Sequence, residues 1–258
     1  MRTLLRVLLF CLSCAVILMA VSRYAPRLSP QWTMVIVEVV SGAATLALTA
    51  VFVRWEGMTL RDAGVGWSSA TLPRLVAGVA LGMAMVALQT LLVATFGHVR
   101  WVRSPGPVAA PIAVAALAFL LVALREEPAF HGYPLRRLDR AFGVWPAQLT
   151  IALIFALEHH AGGMTLWQSV WGPGVGSLVF GLAALTTRGL ALPIGMHAAW
   201  DFTQWLLGYR DTSGLWRPVF EKGFEHRANQ AGIFGYLLAM AVAMAMVWRW
   251  GKSDRPAT

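Results

Sequence analysis

Residues 108–133 read VAAPIAVAALAFLLVALREEPAFHGY, with no charged side chain from Val108 to Leu124, then an arginine, two adjacent carboxylates and a proline. The hydrocarbon core of a bilayer is about 30 Å thick and takes about 20 largely apolar residues to cross at about 1.5 Å each. The run therefore reads as a spanning helix that ends on ionisable groups. Outward from it lie further runs of the same kind: Leu4 to Val21, Trp32 to Val53 and Leu75 to Phe96 before it, then Trp145 to His160, Val170 to Thr187, Leu190 to Leu207 and Ala231 to Trp248 after it. The run from Trp145 is short and the one from Val170 is glycine-rich. The expected fold is all-α, a polytopic transmembrane helical bundle of seven or eight spans, forming a single integral membrane domain over residues 1–258.

Composition agrees. Hydrophobic residues make up 58% of the 258-residue chain, charged residues 13%, and mean hydropathy is +0.63, whereas an ordinary soluble domain carries roughly 25% charge. A net charge of +9 would suggest nucleic acid in a soluble protein. Here the cations sit in short segments between apolar runs, which is the pattern of membrane topology, so the expected surroundings are lipid and no nucleic acid. With the N-terminus inside, the larger share of the 21 Lys and Arg, including Arg54, Arg61, Arg74, Arg136, Arg137, Arg140, Arg188 and Arg255, falls on the inner side. The chain is expected to be multi-pass in the cell (plasma or inner) membrane with both termini cytoplasmic. Arg2 and Arg6 before the first run resemble a secretory signal, but no small-residue cleavage site follows, so this run is read as a retained helix.

Cys11 and Cys14 fall inside the first run with no other cysteine to join them, and are read as packing or lipid-facing residues. Gly172, Gly174 and Gly176 around Pro173 mark a bend or close packing; a phosphate loop would need a strand before it. Tryptophans such as Trp32, Trp101, Trp145 and Trp248 flank the runs, as an aromatic belt does.

Ionisable groups at membrane depth are costly and each is a functional hypothesis with a partner to be found. Most lie in the second half of the chain. Glu126 and Glu127 are adjacent and project about 100° apart on a helix, so one can face a polar interior while the other meets a cation. The alternative is a helix N-terminus, where acids before Pro128 suit the dipole. In the stretch from Phe155 to His160, Phe155 and His159 share a face at i, i+4, while His160 also suits the headgroup region. In the third cluster His197 and Asp201, again at i, i+4, stack on one face deep in an apolar run, with Ala198 and Ala199 leaving room for a neighbour. Glu38 is the one such group in the first half, and no partner for it is visible in sequence.

These three clusters, Glu126-Glu127-x-x-x-His131, Phe155-x-x-x-His159 and His197-x-x-x-Asp201, resemble in order the motifs of the CPBP family of intramembrane endopeptidases, which includes the type 2 CAAX prenyl proteases and the Abi-like bacteriocin-processing proteins. The likeness covers 107–207, the expected catalytic core. The family has arginine where this chain has His131, so the second carboxylate must be held by His131 itself or by Arg125, Arg136 or Arg137. The resemblance implies hydrolysis of a peptide bond in a membrane-associated or lipidated substrate. Its site would comprise Glu126, Glu127, His159, His197 and Asp201, supported by His131, Phe155 and His160. Glu126 near His159 would act as general base on a water, since a carboxylate in a low-dielectric cavity can take and return a proton near neutrality. The favoured reading requires no cofactor. By ligand chemistry Glu126, His159 and His197 could still hold Zn²⁺ with one position open, and Asp201 is an alternative carboxylate. The partners are a membrane protein or lipidated peptide and the bilayer. Two other classes remain open: a proton-coupled transporter, which would also bury acids and histidines but usually shows repeats, and a noncatalytic immunity-type relative.

Overall fold

The computed structural model describes residues 2–28, 32–105, 109–211 and 213–253. Val108, taken as the start of the fourth run, the core boundary at residue 107, and Arg255 in the inner set lie outside the described residues.

The chain forms a helical bundle in the order α1 (Arg2–Leu28), α2 (Thr33–Trp55), α3 (Thr71–Gly97), β1 (Val99–Arg103), α4 (Ala109–Glu126), a π-helical segment (Glu127–Gly132), α5 (Tyr133–Phe142), α6 (Val144–Ala161), the short α7 (Leu166–Ser169), a second π-helical segment (Val170–Gly174), α8 (Val175–Thr187), α9 (Ala191–Leu206), β2 (Trp216–Phe220) and α10 (Glu225–Ser253). Large apolar side chains such as Leu5, Leu12, Val51, Leu91 and Leu149 stand exposed on the helices. Lipid makes that arrangement favourable.

Among the described residues, six stretches are long and apolar enough to cross a membrane: Arg2–Arg27, Thr33–Trp55, Thr71–Phe96, Ala109–Phe142, Leu166–Thr187 and Glu225–Gly251. That is fewer than the seven or eight expected, and the two helices that fall short are α6 and α9. The C-terminal turn of α6 carries Glu158, His159 and His160, while α9 has only 16 residues and includes His197 and Asp201. Of the groups that lower their hydropathy, Glu158, His159, His197 and Asp201 belong to the candidate site.

α3 and α9 lie backbone to backbone. A Cβ on Gly78 would stand 3.1 Å from the Cα of Gly195, one on Gly195 would stand 2.9 Å from the amide nitrogen of Val79, and one on Gly82 would meet the carbonyl of Met196. This seam follows from glycines at i, i+4 on α3, the small-residue spacing that lets membrane helices approach closely. α1 packs through Phe10, whose ring centroid is 5.2 Å from that of Phe52 on α2 and 5.1 Å from that of Tyr133 on α5. Cys11 and Cys14 are buried free thiols in this core.

Three irregularities position the site. Pro128 lacks an N–H and obstructs the carbonyl four residues back, and the helix widens into the π-helical segment there, all six of whose residues are buried. Gly143, at φ 83 and ψ 172, occupies a region open essentially to glycine alone and turns α5 back into α6. Around Pro173 the expected bend is a second π-helical segment, capped by the Tyr236 hydroxyl donating to the Gly172 carbonyl at 2.6 Å. β1 and β2 pair antiparallel, Val99 opposite Phe220, so the α3–α4 and α9–α10 connections share one face of the bundle. The sequence reading took both strands for irregular polar connections.

Candidate active site

The widened turn after α4 places Glu127 wholly inside the bundle. Its Oε2 lies 2.7 Å from His131 Nδ1 and its Oε1 lies 2.9 Å from His197 Nδ1. A carboxylate only accepts hydrogen bonds, so both imidazoles carry a proton on Nδ1. His131 Nε2 is then an acceptor, and the Ser177 hydroxyl of α8 donates to it at 2.9 Å. Of the four side chains that could have held the second carboxylate, His131 is the one that does. Arg136 instead donates to the Ala184 carbonyl at 3.1 Å, and Arg137 pairs with Glu56.

Anchored at Nδ1, the His197 ring lies flat against Phe180, with centroids 4.9 Å apart and planes 13° apart. Its Nε2 faces two carboxylates, Glu126 Oε2 at 3.7 Å and Asp201 Oδ2 at 3.6 Å. Those separations exceed a direct hydrogen bond and suit a bridging water. Asp201 is further bound by Arg210, just beyond the end of α9. An aspartate here is thus an ion-paired group beside His197 rather than a bare acid in an apolar run.

Glu126 turns the other way, as its 100° offset from Glu127 requires. Its Oε1 accepts from Arg125 Nη2 at 2.7 Å. The same guanidinium donates from Nε to Glu38 Oε2 of α2 at 2.6 Å and stands 3.5 Å from Glu158 Oε1 of α6. One buried cation therefore serves three acids from three helices. Glu38 has found its partner; an arginine ending an apolar run beside two acids was the only sequence signal for it.

His159 is partly buried. Its Nδ1 donates to the Phe155 carbonyl at 2.9 Å, which leaves Nε2 with a free lone pair, and its ring packs on Phe155 with centroids 4.4 Å apart. Phe155 is itself held edge-on by Phe130 at 4.7 Å. The contacts of Glu126 are with Arg125 and His197 rather than His159. His160, expected to support the site, is one residue further round the helix and points outward, its Nδ1 2.8 Å from the Met164 carbonyl. The helix angle accounts for this exclusion.

A cavity of about 1220 Å³ adjoins Glu38 and Arg125. Its walls come from α2, α3, α4, α5 and α9, with the connection between α2 and α3 and Pro128.

Among the described residues, no three His, Cys, Asp or Glu side chains are grouped so as to hold a metal ion. Glu127 has both oxygens committed to imidazoles, and Glu126 has one committed to Arg125. What the arrangement offers is a carboxylate with one oxygen outside any hydrogen bond, an oriented imidazole facing it and a second imidazole with a free lone pair.

Residues 108–203 match a family model described as Rce1-like, type II CAAX prenyl endopeptidase. No curated protein matches the chain.

Proposed function

Because the chain belongs, through residues 108–203, to the Rce1-like type II CAAX prenyl endopeptidase family, an intramembrane protease family, we propose that it hydrolyses a peptide bond in a lipidated or membrane-associated substrate with a water activated by Glu126. The observation that carries this reading is the position of His197, held by Glu127 at Nδ1 with Nε2 directed at Glu126 3.7 Å away. A water between them loses a proton to Glu126 as its oxygen attacks the scissile carbonyl carbon. The oxygen of that carbonyl gains negative charge, which a proton on His197 Nε2 can stabilise without rearrangement. Glu126 then returns the proton to the leaving amine, so that water is split between the two product ends. Glu127, Asp201 and His131 act by positioning His197, and Phe155 by positioning His159.

Full-length protein reconstituted in liposomes should release a C-terminal peptide from a prenylated substrate peptide, read by mass spectrometry of both fragments. Release should persist after dialysis against a strong chelator. Loss of release on chelation, restored by Zn²⁺, would replace the carboxylate mechanism with a metal-dependent one; absence of release from any lipidated or membrane peptide would remove the enzyme reading.

Both termini are assigned to the cytoplasmic side of the cell membrane. The arginine-rich connections between α2 and α3 and between α8 and α9 support this, as does the strand pair on the opposite face. A topology reporter fused after α10 should report the cytoplasm; an external signal would invert the assignment.

A further inference from the structure

The cavity beside the candidate site has an unusual division of character. Below, it is apolar and open to the side: Val39, Leu46 and Leu124 line it while remaining 49%, 42% and 41% exposed. Above, its rim carries Arg61, Arg74, Arg136, Arg140 and Arg188 against one carboxylate, Asp62. Arg140 spends its charge on Asp62 at 2.7 Å. Hydrogen bonds from the Thr59 hydroxyl and amide, together with Arg140, hold the Asp62 carboxyl down at about 2, so it stays ionised; it and Asp139 are the acids whose fields reach Arg136. Arg74 donates to the Thr187 carbonyl at 2.8 Å, and Arg136 to the Ala184 carbonyl at 3.1 Å. Both acceptors are neutral backbone oxygens.

Arg136 is the informative member. It is only 8% exposed, it lines the cavity, and its Nε has no hydrogen-bond partner. A buried donor left unsatisfied is costly and calls for an acceptor the protein does not supply. The cavity volume of about 1220 Å³ exceeds the range of roughly 300–1,000 Å³ typical of small-molecule pockets, which suits a long-chain ligand entering from the bilayer.

We propose that this groove is a binding site for an anionic glycerophospholipid, with the headgroup phosphate on Arg136, Arg61 and Arg188 and one acyl chain lying between α2, α4 and α9. The site is separate from the hydrolytic residues and does not depend on the protein being a protease. Charge complementarity selects the occupant: a zwitterionic head brings a cation back to a rim that already has an excess of cations, and an uncharged chain leaves the Arg136 donor unmet.

The test uses the full chain in detergent, titrated with phosphatidylglycerol, with phosphatidylcholine of the same chain length and with inorganic phosphate, and followed by thermal unfolding, since a ligand bound to the folded state raises Tm by mass action. Phosphatidylglycerol should stabilise at lower concentration than phosphatidylcholine, and inorganic phosphate should neither stabilise nor displace it. Removing an arginine near a lipid surface weakens attraction by roughly fivefold. Arg61→Gln with Arg188→Gln, both exposed and therefore safe for folding, should shift the phosphatidylglycerol midpoint by about 25-fold on that basis. Arg136→Gln is the sharper variant where it folds. Leu124→Trp, which fills the apolar part, should weaken the lipid with the rim intact. Equal stabilisation by phosphatidylcholine, competition by inorganic phosphate, or an unshifted midpoint in the double variant would each overturn the proposal.

Discussion

Replacing Glu126 by Gln lowers turnover of a lipidated peptide by about 10²–10⁴-fold, the range a positioned general base contributes, while the protein still inserts and unfolds near the parent temperature. Gln keeps the shape and the hydrogen bond with Arg125 but cannot take a proton from water. The oxygen facing His197 at 3.7 Å is the one that matters. Its loss leaves whatever the imidazoles contribute. The measurement is single-turnover cleavage in liposomes with a melting curve on the same preparation. Unchanged turnover would move the base to His159, whose Nε2 is free.

The second large effect is on stability. Arg125→Ala should remove several kcal/mol, on the order of the 3–5 kcal/mol lost when one partner of a buried pair is deleted, and here the loss strands Glu38, Glu126 and Glu158 together. The protein should express poorly or melt far below the parent. Adding Glu38→Gln to Arg125→Met, which retains volume and removes one stranded acid, should recover part of the difference. Thermal unfolding of the single and double variants in one detergent reads the coupling. An additive outcome would mean that Arg125 and Glu38 do not share the network their 2.6 Å contact describes.

What the sequence made legible was local. The i, i+4 spacing of His197 and Asp201 gave two groups on one face, and they stand 3.6 Å apart. The ordered clusters on separate apolar runs implied convergence, and Glu126, Glu127 and His197 do converge. What could not be read was any partner chosen by packing between helices. Glu38 meets an arginine 87 residues away, Ser177 reaches His131 from α8, and Arg210 folds back onto Asp201 from beyond a helix end. None has a spacing that marks it. The number of spans was overestimated for a related reason: an apolar-run count treats α6 and α9 as ordinary helices, although their polar residues and the 16-residue length of α9 make them dependent on neighbours for burial. The strand pair was missed because Val99–Arg103 and Trp216–Phe220 alternate over too few residues to stand out among arginines.

The glycine seam between α3 and α9 decides where this molecule can yield. With main chain against main chain there is no side-chain cushion to compress, so the helix bearing His197 is fixed in place like a fence post. α2 rests on α4 through removable side-chain contacts and a single ionic clasp. A guest too bulky for the open side would therefore call for a movement of α2, and a cross-link tethering that helix to α4 would block it while leaving the reacting groups undisturbed.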